Sequence, residues 1–288
     1  MFCRLLPIFL AVIGCSVAFG EQDERPKSLW STDYSDGYRR ARDGQKQLLI
    51  WFSNDHLVDA ELEFAQRTAE NEATQELLEN YVTVRVSRSA EVEIDGKSVW
   101  LFGHRSFSEL LNQPGLAVID LRDRSSAQFG QLVSLYPYRG GRPMDLNRLH
   151  IFLTLPDGTL TQRTMVFAVR THREGPQSTH GSFHPYLAYE AHKHSAHQAS
   201  LTRQGHHNWD RRFQWISSHL PNGLHAQEVC AEGWPWQGLI EAAEDCVHCW
   251  RQSPGHWSAV RAHQPLYGYD IQRGRNGVWY ATGIFGRR

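Results

Sequence analysis

The chain has 288 residues, room for about two domains, and its 41% hydrophobic and 21% charged residues are the balance of a globular protein. Its formal net charge is -1, so no global field draws nucleic acid or acidic lipid, and neither partner is expected. Beyond residue 20 nothing approaches the ~18 uninterrupted apolar residues of a spanning helix, which argues against a membrane span.

Residues 1–20 read as a signal peptide: a positive charge at Arg4, an apolar run over 5–14, and small residues closing Ala18-Phe19-Gly20. The expectation is an exported protein, secreted or periplasmic, beginning near Glu21. A rival reading takes Val12-Ile13-Gly14-Cys15 as similar to a lipobox, which would place a lipid anchor on Cys15. Past the cleavage site three cysteines remain, Cys230, Cys246 and Cys249. An oxidising compartment favours one disulfide among them and one thiol left over.

Residues 33–47 carry a weak helical stripe through Tyr34, Tyr38, Ala41 and Arg42, and 48–52 form a compact apolar strand. A helix is expected over 59–80, with Leu62, Ala65, Ala69, Ala73 and Leu77 on its apolar face, then a strand over 81–86. A polar helix-like segment at 106–111 precedes Gln113-Pro114, and a strand over 116–121 follows. This order is α/β. Over residues 30–123 it resembles a thioredoxin-like domain, a central sheet flanked by helices, with Pro114 where that family carries a cis-proline. In the active family a Cys-x-x-Cys pair opens the helix after the first strand, because a helix N-terminus lowers the pKa of the attacking thiol. Here that place reads Asn54-Asp55-His56-Leu57, and without a thiol there is no disulfide exchange.

In the connecting region 124–172, Leu149, Ile151, Leu153 and Leu155 alternate, as do Met165, Phe167 and Val169, on either side of Asp157-Gly158. Asp-Gly between alternating runs predicts a β-hairpin. Residues 173–184, rich in Gly, Pro, Ser and Thr at their start, read as a linker into the last domain.

Of the 16 histidines, 14 lie from His150 onward, so imidazole chemistry is to be sought there. A helix expected over 185–203 contains Ala191-His192-Lys193-His194-Ser195 and runs into Gly205-His206-His207. Gln227-Glu228-Val229-Cys230-Ala231-Glu232-Gly233 follows, then a helix over 239–250 leading into Trp250-Arg251-Gln252-Ser253-Pro254-Gly255-His256. A strand over 267–272, a turn at Asn276-Gly277 and a strand over 278–285 close the chain. These four ordered segments resemble the bacterial branch of the CAP family, the fold of cysteine-rich secretory, antigen 5 and pathogenesis-related proteins. They match its Ala-x-x-His-Ser, Gly-Glu-Asn-Ile-Ala-x-Gly and Trp-x-x-Ser-Pro-Gly-His stretches and its terminal hairpin. The resemblance implies a CAP-like α-β-α sandwich over 185–288.

It also implies a cleft in which histidines and glutamates converge and can hold a divalent metal. The counterparts are His206 or His207, Glu228 and His256, a plausible zinc set with a position left for water. Ser253 stands where many eukaryotic members carry a second glutamate. Glu228 and His256 are the candidate catalytic residues if the cleft is hydrolytic; otherwise Glu228 accepts hydrogen bonds and holds the cleft together.

The pair His194 and His197 reads as a solvated helix face. Cys230 is expected to pair with Cys246 or Cys249, with a Cys3His zinc site as the alternative. Trp209, Trp215, Trp234, Trp236, Trp250, Trp257 and Trp279 are expected as core and cleft walls. The functional expectation is an exported, non-catalytic binding protein that takes a small molecule, glycan or protein ligand in its cleft. The alternative is a zinc-dependent hydrolase working in the same place.

Overall fold

The computed structural model describes residues 29–94, 96–221 and 223–288; the expected signal peptide and lipid-anchor site at Cys15 lie outside them. The chain is mixed α/β. Strands β1 (Gln47–Ser53), β2 (Tyr81–Ser87), β5 (Gly115–Asp120) and β6 (Leu132–Pro137) form a sheet in the order β2-β1-β5-β6. The β1–β2 pair is parallel, whereas β1–β5 and β5–β6 are antiparallel. Every residue of β1 is buried, which is why its sequence reads as an unbroken apolar run. Leu48, Ile50 and Phe52 face one cluster, under helix α1 (Tyr34–Asp43), while Leu49 and Trp51 face another. A small hairpin, β3 (Glu91–Ile94) with β4 (Lys97–Trp100), lies outside this sheet.

The helix expected over 59–80 is two helices, α2 (Asp59–Glu70) and α3 (Glu72–Leu78). Asn71 leaves helical geometry and its side chain accepts from Thr74 N at 2.9 Å, starting the second helix. The buried face is also different from the expected one: Glu61, Phe64, Thr68, Thr74 and Leu78 point inward, while Leu62 is exposed. No cis peptide occurs among the described residues, so Pro114 does not carry the cis bond that the resemblance implied.

The expected hairpin is a pair of helices, α4 (Leu146–Leu153) and α5 (Leu160–Arg170). Leu149, Phe152 and Leu153 satisfy a helical spacing as well as an alternating one, and capping decides between them. Asp145 accepts from Arg148 N, and Thr159 and Gln162 cap each other reciprocally at the start of α5. The expected linker is pinned to the fold: Gln177, Ser178 and Ser182 donate backbone hydrogen bonds to Arg261, Val260 and Pro265.

A second sheet has the order β7-β9-β10-β8, from β7 (Ser182–Phe183), β8 (His225–Glu232), β9 (Leu266–Arg273) and β10 (Trp279–Arg287). Strand β8 is outermost. Its Val229 and Ala231 face the cluster that contains α5 and helix α8 (Leu239–Gln252). Its Ala226 faces the opposite side, with helices α6 (Pro185–Leu201) and α7 (Trp209–Ser218). Among the described residues no helix is long and apolar enough to cross a membrane.

Candidate functional site

Alternation along β8 puts Glu228 and Cys230 on the same face as Ala226, beneath α6 and α7. The turn after α6 brings histidines to them. Thr202 adopts left-handed geometry (φ 51°), and Gly205 sits at φ 155°, open essentially only to glycine. Gly205 is fixed at both ends, its N–H donating to Gln198 Oε1 (3.0 Å) and its carbonyl accepting from His194 Nε2 (2.9 Å). His206 is thereby aimed at Glu228, Nδ1 to Oε1 at 3.0 Å. On the other side of β8, helix α9 (Pro254–Arg261) starts with proline at its first position and carries His256. The two imidazoles meet, Nε2 to Nε2 at 3.2 Å.

Glu228 is fully buried at its side chain and is held from three directions. Arg212 of α7 makes an ion pair with Oε2 at 2.6 Å, His206 bonds Oε1, and His194 Nε2 lies 3.6 Å from Oε1. Burial by itself would raise the carboxyl pKa, but the bonds from His206 and Arg212 together with the guanidinium charge outweigh it, so it lies below the usual value. His194 is pushed down to about 4, chiefly by burial, and is a neutral imidazole at pH 7. Burial and the neighbouring His206 also lower His256.

Of the sequence-derived set, the structure brings His206, Glu228 and His256 together and turns His207 away, its Nε2 on the carbonyl of Arg203 at 3.2 Å. His194 is corrected: it is 2% exposed, not a solvated helix-face residue. Its place in Ala191-His192-Lys193-His194-Ser195 was the available signal. Arg212 belongs to no segment singled out in the sequence, and only the fold places it.

The expected disulfide is absent. All three cysteines are free thiols, with Cys230 under α6 and α7 beside His206 and Cys246 in the cluster on the other face of the sheet. A β-strand separates them, which also removes the Cys3His zinc alternative. The tryptophan expectation holds for Trp250, Trp257 and Trp279, which are buried, and fails for Trp234 and Trp236, at 69% and 81% exposure; Trp215 is exposed but lines a cavity.

His194, Glu228 and Cys230 also converge, their donor atoms within 4.8 Å of one another, but they are already committed. His194 donates to Gly205, Glu228 is paired with Arg212, and burial, then the Glu228 charge, pushes the Cys230 thiol well above its usual range. The His206–His256 contact is a hydrogen bond as it stands, and its length also suits a metal. Two nitrogens on a tetrahedral zinc at ~2.0–2.1 Å lie about 3.3 Å apart, close to the 3.2 Å observed. Glu228 then occupies the far nitrogen of His206, where metal-bound histidines commonly meet a carboxylate. No family model matches the chain, and no curated protein matches it.

Proposed function

We propose that this is an exported binding protein whose C-terminal half is CAP-like and whose cleft holds a divalent metal, zinc by preference, on His206 and His256. The observation that carries the reading is the pair of Nε2 atoms 3.2 Å apart, with Glu228 on the opposite nitrogen of His206. Glu228 acts here as a positioning residue, not a ligand: it fixes the ring orientation and the tautomer that leaves Nε2 free. A zinc ion in that position supplies a Lewis-acidic contact for an oxygen of a small molecule, glycan or protein ligand.

Binding is favoured over hydrolysis because both Glu228 oxygens are engaged and its carboxyl pKa is depressed, which leaves it a weak general base. Export rests on Arg4, the apolar run over 5–14 and the small residues ending at Gly20. The β2-β1-β5-β6 order supports reading the N-terminal half as thioredoxin-like. Its former redox position is closed by polar bonds: Glu61 accepts from Asn54 N and Nδ2, and Arg88 donates to Asn54 Oδ1.

The test is elemental analysis of protein equilibrated with zinc and dialysed. Near-stoichiometric zinc is expected in the wild type and almost none in His256→Ala, while Glu228→Gln should weaken binding by about 10–100-fold. A wild type that retains no metal overturns the metal assignment. Ester or peptide hydrolysis lost in both variants would establish the hydrolase instead.

A further inference from the structure

A cavity of about 960 Å³ opens between α6 and α7, and Arg212 is part of its lining while His206 and His256 are not. One face of α6 lines it with Glu190, Lys193, His194 and His197, which recur at helical spacing, and α7 contributes Arg211, Arg212 and Trp215. Its size is that of a small-molecule site.

The charges of the lining are unevenly matched. Lys193 bonds Glu190 (3.1 and 3.3 Å), and Arg212 is answered from behind by Glu228. Arg211 has no carboxylate partner among the described residues, and Arg212 Nη1 is buried without an acceptor. The cavity therefore offers donors for one negative group.

It also offers an acceptor: His207, half-buried, spends its Nε2 hydrogen on the carbonyl of Arg203, which leaves its Nδ1 lone pair unspent. Trp215, 58% exposed, supplies a flat wall. A ligand that matches this lining carries one anionic group, a hydroxyl able to donate to imidazole, and a ring face.

We propose that this cavity binds an acidic sugar, with its carboxylate or phosphate on Arg211 and Arg212, a hydroxyl on His207 and its ring against Trp215. Neither His206 nor His256 lines the cavity, and the sugar needs no metal there.

The probes are glucuronate, glucose 6-phosphate, glucose and inorganic phosphate, titrated against the intact protein with metal chelated and followed by calorimetry and ligand-observed NMR. At least one acidic sugar should bind with a dissociation constant of about 1 mM or tighter. Glucose and inorganic phosphate should each bind at least fivefold more weakly. Whichever acid binds identifies the anion. Arg211→Gln and Trp215→Ala change exposed side chains and should leave the fold intact; each should weaken binding at least fivefold, while Trp236→Ala, elsewhere on the surface, should not. The proposal is overturned if neither acid binds, if glucose or phosphate alone binds as well, or if Arg211→Gln and Trp215→Ala are without effect.

Discussion

Glu228 is a charge taken wholly out of water, and its stability depends on what surrounds it. Removing one partner of a buried pair strands the other, at a cost of ~3–5 kcal/mol, whereas removing both is far milder. Arg212→Met should therefore lower unfolding stability in urea by about 3 kcal/mol, and Arg212→Met with Glu228→Gln should recover more than half of that. His194 makes an opposite demand, because it must stay neutral. Its folded pKa of about 4 lies below the ordinary 6.5, so as pH falls the unfolded chain takes the proton first. Its contribution is complete above about pH 6.5 and is lost on the way down to about pH 4, at most about 3 kcal/mol. His192 runs the other way: its hydrogen bond with Asp270 raises its pKa, so that contribution is present in acid and lost as pH rises through the folded value. Urea titrations from pH 7 to pH 4.5 should show a steep decline in the wild type and a shallower one in His194→Gln. Equal slopes would mean that His194 is not buried neutral.

Helix α6 positions the site by lying directly on β9. A β-carbon added at Gly268 would fall 2.2 Å from Ala188 N and 2.4 Å from Leu187 C, backbone atoms that cannot give way. Gly255, in the first turn of α9, has open space around it and no positive φ. Gly268→Ala should thus destabilise by at least about 2 kcal/mol. Gly255→Ala, which only adds helix propensity, should be neutral or stabilise by up to about 1 kcal/mol. Thermal melts of the two variants check the opposite signs. The elements that were legible in the sequence had a single reading: the β1 apolar run, the proline-led start of α6, and the Asn276-Gly277 turn, where Gly277 takes φ 77°. Where one stretch satisfied two periods, as over 149–169, side-chain caps at Asp145 and Thr159 decided, and these are visible only if sought before the periodicity is read. Glu228, His206 and His256 were legible because each sits in a compact motif. Arg212 was not, because its role arises from α7 crossing above β8, a contact between segments that share no local pattern.

The two sheets do not own separate interiors. One contiguous cluster contains Trp51 and Leu116 from the first sheet, Met165 and Val169 from α5, and Val247, Trp250 and Tyr269 from the second half. Helix α5 is the shared layer, and its residues from Gln162 to Val169 are all buried. Charge reinforces the joint: Arg139 pairs with Glu244 at 2.6 Å, and Glu109 accepts from Leu239 N at 2.7 Å, near the start of α8. Cutting the chain at residue 184 would leave the second half with an apolar face that α5 now covers, so neither half should be stable without the other. The consequence is cooperative unfolding. Calorimetry should give a single transition, and Met165→Ala, which empties fully buried volume between the sheets, should lower stability by ~2–5 kcal/mol and move that transition as a whole. Two resolved transitions, only one of them shifted by the substitution, would show instead that the sheets melt independently and that α5 belongs to one of them.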